Sequence, residues 1–167
     1  MEKERLLNAI IRYDHYYDSI NNKANVALGL STFVTGAMAA LYPVFAKIAD
    51  ANALMYVIYF LMIAIGMTTI ITLVFAATPY MKNSTNSLIY FKSVADMSEM
   101  NFKRVSEKRT EDQELDDLRE QTHDLASGLS SKFKRLKLVF RLLTIQFFLA
   151  IPLIILLIQN YHTNEIL

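Results

Sequence analysis

The stretch YDHYYDSINNKAN, residues 13–25, concentrates aromatic and hydrogen-bonding side chains directly before a long apolar run. Tyr13 and Tyr17 offer rings on which a base can stack. Asn21 and Asn22 carry amides that either read the edge of a base or cap a buried backbone group. The alternative interpretation is an aromatic belt at the headgroups of a membrane, where tyrosine is common whatever a protein does. The residue types alone leave both interpretations open.

A basic cluster lies where the last apolar run begins, since residues 132–141 hold five bases and no acid. Attraction to anionic lipid headgroups is the ordinary role of such a cluster, worth about 1 kcal/mol for each basic residue near the surface. The other interpretation is an anion pocket at the membrane-proximal depth of Lys132. In that pocket Lys23 and Arg135 would balance the charge of a phosphodiester beside the tyrosines.

Catalytic and metal sites have little support in the sequence. His15 and His123 have acids nearby, in DHYYD and EQTHD, but catalytic zinc needs about three protein ligands. No G-x-S-x-G motif, P-loop or Cys/His pair is present, and the absence of cysteine excludes thiol chemistry. Asp14 and Asp18 are better interpreted as solvated or inter-helix hydrogen-bonding groups than as an acid/base pair. We therefore expect no enzyme, no metal and no cofactor.

Three apolar segments are long enough to cross a bilayer, and a hydrophobic content of 53% favours a membrane protein. Residues 26–45 and 54–77 contain no charged residue, and about 20 apolar residues cross the hydrocarbon core as a helix. Residues 136–158 contain Lys137 and Arg141, but only in the first two turns, from which long basic side chains reach the headgroups. With no charged residue at mid-membrane, a proton relay or ion-coupled transporter is not expected.

The remaining segments are predicted to be helical, and no strand pattern is found. An apolar stripe at three- and four-residue steps predicts one continuous helix from about residue 111 to 158, because Gly128 costs only about 1 kcal/mol relative to alanine. Pro152 predicts a local bend in it. Residues 87–102 offer a further helix, followed by a polar linker over 103–112. The predicted segments are a cytoplasmic amphipathic helix over 1–25, spans over 26–45, 54–77 and 136–158, a cytoplasmic helical region over 80–135, and an outer tail over 159–167.

The resulting fold class is an all-α membrane protein with three transmembrane helices and a cytoplasmic helical bundle, in which the third span continues a long cytoplasmic helix. Basic residues predict its orientation: residues 1–25 hold four Lys/Arg, residues 80–137 hold eleven, and the tail over 159–167 holds none. The N-terminus and the long middle segment should therefore face the cytoplasm, and the C-terminus should lie outside. A net charge of +1 without a basic stripe gives no reason to expect a nucleic-acid partner.

Three blocks occur in a characteristic order: YDHYYDSINNKANVALGLSTF, then SLIYFKSVADMS after a second span, then LDDLREQTHDLASGLSSKFKRLKLVFRLL. Over nearly the whole chain this order resembles the small transmembrane effectors of bacterial Pycsar anti-phage systems. The resemblance implies a sensor of a cyclic pyrimidine mononucleotide, cyclic CMP or cyclic UMP, which a companion cyclase makes on infection. It further implies damage to the inner membrane and growth arrest. The residues that the resemblance marks are Asp14, Tyr16, Ser19, Asn21, Asn22, Lys23, Phe91, Asp117, Leu118, Gln121 and Lys132.

The leading hypothesis is a membrane effector that a cyclic nucleotide activates. Small residues four apart in the first span, at Ala27, Ser31, Thr35 and Ala39, indicate close helix packing, and we expect a homo-oligomer. A membrane-anchored scaffold, with the acidic stretch 111–124 as its docking face for a protein, and a small constitutive channel are the alternatives. The candidate ligand residues are Tyr13, Tyr17, Asn21, Asn22, Lys23 and Arg135, and the candidate coupling or packing residues are Asp14, Ser19, Asp117, Gln121 and Lys132.

Overall fold

The computed structural model describes residues 1–49, 52–78 and 87–165. These described residues are 91% helical and contain no strand, which confirms the predicted all-α membrane fold. Parts of two predicted segments lie outside the described residues: 80–86 of the cytoplasmic region and 166–167 of the outer tail. Residues 50–51, between the first two predicted spans, also lie outside them. The helices are α1 Glu2–Ala40, α2 Tyr42–Ala49, α3 Ala53–Ala77, α4 Phe91–Ala95, α5 Glu99–Lys108 and α6 Glu111–Glu165.

Within the described residues α3 and α6 are long and apolar enough to cross a membrane, and α1 with α2 passes the same test as a pair bent by 54°. The break falls at Leu41, inside the segment predicted as one span, because Pro43 has no N–H to donate to Ala39 and its ring crowds that carbonyl. Val44 and Phe45 donate to the carbonyl of Leu41 instead, at 3.1 and 2.9 Å.

Helix α6 begins with a capping box. The backbone N–H of Gln113 donates to the hydroxyl of Thr110 at 3.4 Å, and the backbone N–H of Thr110 donates to the side-chain oxygen of Gln113 at 3.2 Å. Acidic residues fill the first turn, where they complement the helix dipole. The helix then continues through Gly128 and Pro152 without interruption.

The segment before α6 differs from the prediction of one helix and a polar linker. Residues 87–102 contain the short helix α4 and the start of α5, and α5 extends to Lys108 within the predicted linker. The hydroxyl of Ser98 accepts the N–H of Asn101 at 3.3 Å and so caps α5. Only Arg109 and Thr110 separate α5 from α6.

The chain forms two compact units, and α1 and α6 each contribute residues to both. The first unit contains Met1–Ile20 and the described part of Pro79–Phe133, and the second contains Asn21–Thr78 and the described part of Lys134–Leu167. In the first unit Ile20, Leu118 and Leu129 are buried. The core of the second unit is a cluster of Phe45, Met55, Tyr59, Met62 and Leu153.

Candidate functional site

A buried polar cluster in the first unit is formed by Ser87, Arg109, Asp117 and Gln121. Asp117 is only 6% exposed, and its carboxylate accepts hydrogen bonds from the Arg109 guanidinium at 2.7 Å and from the Leu88 backbone N–H at 2.9 Å. Four residues on, the Gln121 side chain donates to the Ser87 hydroxyl at 3.4 Å. The cluster therefore joins α6 to the segments on either side of α4 and α5.

Ser87 also organises the backbone that leads into α4. Its hydroxyl oxygen accepts the N–H groups of Ile89 at 3.1 Å and Tyr90 at 2.9 Å, as a capping serine does. Because the Asp117 carboxylate accepts from two donors on different segments, the cluster holds both segments against α6. Asp117 and Gln121, both predicted as coupling or packing residues, belong to this cluster.

Tyr17 of α1 is engaged on α6 by both its hydroxyl and its ring. The hydroxyl donates to the Leu125 carbonyl at 3.0 Å, and the Lys132 ammonium lies 5.6 Å from the centre of the ring. Lys132 is only 7% exposed, and a cation–π contact of this kind strengthens as the cation loses water. Lys132, predicted as a packing residue, thereby supplies the cation next to a predicted stacking residue.

An open cavity of about 750 Å³ in the first unit lies along the first three turns of α1, and its described lining comes from residues 1–13 alone. Arg5 and Arg12 place two guanidinium groups on it, Asn8 adds an amide, and Tyr13 adds an aromatic ring. Cations, an amide and a ring are the groups that recognise a phosphate-bearing base. The described residues that line it are Met1, Glu2, Glu4, Arg5, Asn8, Ala9, Arg12 and Tyr13.

Ion pairs between α1 and α6 fix the start of α1 in the first unit. Lys3 pairs with Glu114 at 2.5 Å, and Glu2 pairs with Arg119 at 2.9 Å. Hydrogen bonding to Arg119 lowers the pKa of Glu2, and hydrogen bonding to Lys3 lowers the pKa of Glu114. The same bond to Glu114 raises the pKa of Lys3. These carboxylates are therefore held in their charged forms near the cavity.

The other predicted ligand residues belong to the second unit. Asn21, Asn22 and Lys23 are exposed on α1. Arg135 is also exposed, and its guanidinium donates to the Phe75 carbonyl at 2.5 Å in the last turn of α3. A cation at that position complements the C-terminal end of the helix dipole. The two remaining predicted coupling residues lie on α1 in the first unit, where Asp14 is exposed and Ser19 is half-buried.

Sequence reasoning missed the partners and the neighbours of these residues. Ser87 directly precedes an apolar run, which is a capping signal, and Arg109 directly precedes the capping box of α6. The spacing of Arg5, Asn8 and Arg12 places all three on one helical face. Such a pattern of cations and an amide could have predicted an anion-binding surface. In the part of the chain that the structure describes, no three His, Cys, Asp or Glu side chains lie together as metal ligands do.

A family model described as PycTM, Pycsar effector protein domain, matches residues 5–159, which is most of the chain. No curated protein and no solved structure matches the chain. The matched range includes the buried polar cluster, Tyr17 and Lys132, most of the cavity-lining residues, and all candidate spans.

Proposed function

Because the chain belongs to the Pycsar effector family, a family of non-catalytic effectors of anti-phage defence, we propose that a cyclic pyrimidine mononucleotide activates it to make the inner membrane leaky. Membrane residence follows from its candidate spans and from the family. The ligand would be cyclic CMP or cyclic UMP, made by a companion cyclase on infection. The N-terminus would face the cytoplasm, where that nucleotide is made, and the C-terminus would lie outside.

The single observation that best supports a nucleotide site is the cavity beside the first three turns of α1. This cavity is open to solvent on one side, with a volume of about 750 Å³. Arg12 offers a cation for the phosphodiester charge, Tyr13 offers a ring to the base, and Asn8 offers an amide to a base edge. Arg5 lies on the same cavity but pairs with Glu2 at 3.9 Å, and Glu4 also lines it. Tyr13 is the residue that this cavity shares with the ligand residues predicted from the sequence.

Activation requires that the nucleotide bind one arrangement of the helices more tightly than another. Tyr17 and Lys132 contact one another in the first unit, and the predicted residues Asn21, Asn22 and Lys23 follow on the same helix in the second. We assign these three the role of a coupling joint or of additional ligand contacts, together with Arg135. The spans would then rearrange within a homo-oligomer.

Dye release from liposomes tests the activity. Purified protein is reconstituted at several protein-to-lipid ratios, and cyclic UMP, cyclic CMP or cyclic AMP is added in separate samples. We expect release with a cyclic pyrimidine nucleotide and none with cyclic AMP or without nucleotide. Release without any nucleotide would favour the constitutive channel, and no release at any ratio would overturn the proposal.

Calorimetric titration with the same nucleotides tests the site. We expect Arg12→Ala to weaken binding by about 10- to 100-fold, since a hydrogen bond to a charged group is worth roughly 1.5–3 kcal/mol. Lys103→Ala is the matched control, because Lys103 is an exposed cation paired with Glu99 and does not line the cavity. Equal affinity in both variants would remove the cavity from the proposal.

Asn22→Ala and Lys23→Ala separate the two roles of the joint. Normal nucleotide binding with lost dye release would assign these residues to coupling alone. Weakened binding would assign them to the ligand site. Normal binding with normal release would exclude both roles.

A further inference from the structure

Three polar side chains lie buried among the candidate spans of the second unit. We call Ser31 and Thr35 of α1 and Gln146 of α6 the polar seam. Their exposed fractions are 0%, 4% and 1%. The hydrocarbon region offers no water to such groups, so polar side chains there are expensive and commonly functional.

The polar seam leaves three buried atoms without hydrogen-bond partners among the described residues: the Ser31 hydroxyl, the Thr35 hydroxyl and the side-chain oxygen of Gln146. The Gln146 amide nitrogen does donate, to the Met62 carbonyl at 3.3 Å. An unmade hydrogen bond of a buried group costs the full desolvation free energy of that group. This arrangement of the spans therefore leaves three buried polar atoms without the hydrogen bonds that they can form.

Other hydroxyl groups in the candidate spans form a hydrogen bond within their own helix. Thr69 and Thr144 each donate to the carbonyl four residues earlier, at 2.8 Å. Ser31 and Thr35 occupy helical positions with equivalent carbonyls, yet neither forms this bond. The hydroxyl groups of Ser31 and Thr35 therefore lie at the helix interfaces without a hydrogen bond to a carbonyl of their own helix.

Gly66 of α3 lies next to two residues of the polar seam. A Cβ at this residue would lie 2.1 Å from the Thr35 hydroxyl oxygen and 2.8 Å from the Gln146 amide nitrogen. Glycine is thus required for α1 and α6 to bring these polar groups against the α3 backbone. The three candidate spans therefore meet at a polar centre.

We propose that the polar seam opens to water in the active effector, so that Ser31, Thr35 and Gln146 line the path through which the membrane leaks. This inference rests on the proposed function. Water would satisfy all three unpartnered atoms, since hydroxyl and amide groups both donate and accept. These groups are uncharged, so the path would pass water and small solutes with little selection by charge.

The sequence contains no cysteine, so single-cysteine variants can report on the seam directly. Ser31→Cys changes one atom of a fully buried side chain. We expect a charged, membrane-impermeant thiol reagent to modify this variant in liposomes only when cyclic UMP or cyclic CMP is present, and modification to block dye release. Thr35→Cys repeats the measurement at a second position in case Ser31→Cys fails to fold. Phe33→Cys is the control: its side chain is 74% exposed on the outside of the chain, and we expect no modification with or without nucleotide.

A second variant removes the polarity of the seam and keeps its volume. We expect Gln146→Leu to bind nucleotide normally, to unfold at the same or a higher temperature, and to lose most dye release. Thr144→Val is the matched control, because Thr144 is an exposed residue two positions away that bonds to its own helix. Its dye release should be that of the wild type.

The outcomes separate this inference from the proposed function. If the wild type releases dye but neither Ser31→Cys nor Thr35→Cys is modified, the polar seam does not line the leak path, and the proposed effector activity still stands. Modification at equal rates with and without nucleotide would also overturn it, because the seam would then be open at rest. Absence of wild-type release with either nucleotide would overturn both.

Discussion

Asp116 and Asp117 are adjacent residues with opposite environments. Asp117 is buried and holds the Arg109 guanidinium and the Leu88 N–H, whereas Asp116 is exposed and pairs with Arg119 in the next turn. Only the Asp117 carboxylate has exchanged water for hydrogen-bond donors of the protein. Its removal would strand those donors in the interior of the first unit.

We expect Asp117→Ala to lower the free energy of unfolding by about 3 kcal/mol, because breaking a buried pair leaves its partner uncompensated. Asp116→Ala should change it by at most about 1 kcal/mol, as exposed pairs do. Thermal unfolding in detergent, followed by circular dichroism because the chain lacks tryptophan, compares the two. Equal losses would show that the Asp117 pair contributes no more than a surface contact.

The difference in burial between Asp116 and Asp117 decides which acidic residues can be substituted to test the scaffold alternative. Of the acidic stretch 111–124, Glu114 is paired with Lys3 and Asp117 is buried, so the docking face would have to use the other acids. Substituting Asp117 would confuse lost docking with lost folding. Asp116 and Glu120 are exposed and are the better positions for a pull-down experiment.

The sequence marked Asp117, Gln121 and Lys132, and all three are buried on α6. Asp117 accepts from Leu88, 29 residues away, Gln121 donates to Ser87, 34 residues away, and Lys132 contacts Tyr17 of α1. No helical period indicates a contact across such a distance. The family resemblance singled out these three residues, and the roles assigned to them stay predictions. The partners depend on how separate segments pack, which requires tertiary structure.

At the scale of the helices, periodicity predicted a continuous α6 because its apolar stripe is long. The break at Leu41 was missed although Pro43 is visible in the sequence. The length of an apolar run shows that a segment can cross the hydrocarbon core, but it does not show that the helix is unbroken. A proline inside the run breaks the helix and leaves the run apolar. Residues 87–108 were predicted less well, because short helices carry little periodic signal.

Gly66 sets how closely the candidate spans pack. We expect Gly66→Ala to lower the free energy of unfolding by about 1–3 kcal/mol, because the added Cβ would displace the Thr35 hydroxyl and the Gln146 amide. Gly29→Ala is the control, since a Cβ there meets nothing within 4 Å. In a helix interior that change should stabilise by about 0.5–1 kcal/mol. The same unfolding measurement compares both, and equal effects would contradict the close approach.

The pairing of α1 with α6 should depend on pH. Because pairing lowers the pKa of Glu2 and Glu114 from 4.5, their contribution is present above that value and is lost as the pH falls through the lowered pKa. Pairing raises the pKa of Lys3 from 10.5, so its contribution is lost only as the pH rises beyond that value. Between these limits the start of α1 should be most protected.

Amide hydrogen exchange over residues 1–12, corrected for the intrinsic effect of pH, measures this protection. We expect faster opening below pH 4.5 and at high salt, which screens exposed pairs. A variant with Glu2→Gln and Glu114→Gln should already open quickly at neutral pH and should show little further change on acidification. Unchanged protection in the wild type across this range would contradict the role of the ion pairs.

At the scale of the whole molecule, the proposed mechanism needs a connection along the chain between ligand site and spans. Helices α1 and α6 both contribute residues to the two units, and α6 runs from Glu111 to Glu165 without a break. A helix transmits a rotation or shift of one part to the other because each turn is fixed by hydrogen bonds to the next. Two glycines inserted after Ser130 would interrupt that register.

We expect this insertion to leave nucleotide affinity unchanged and to abolish dye release, because the two units would no longer be joined by one continuous α6. The same insertion between Lys108 and Arg109 is the control: it lengthens the connection between α5 and α6 and leaves Arg109 next to α6 and its partner Asp117, so dye release should persist. Calorimetric titration and liposome leakage on the same preparations provide the two measurements. Full release from the Ser130 insertion would show that α6 does not transmit the signal and would leave α1, with Asn21, Asn22 and Lys23, as the connection to test.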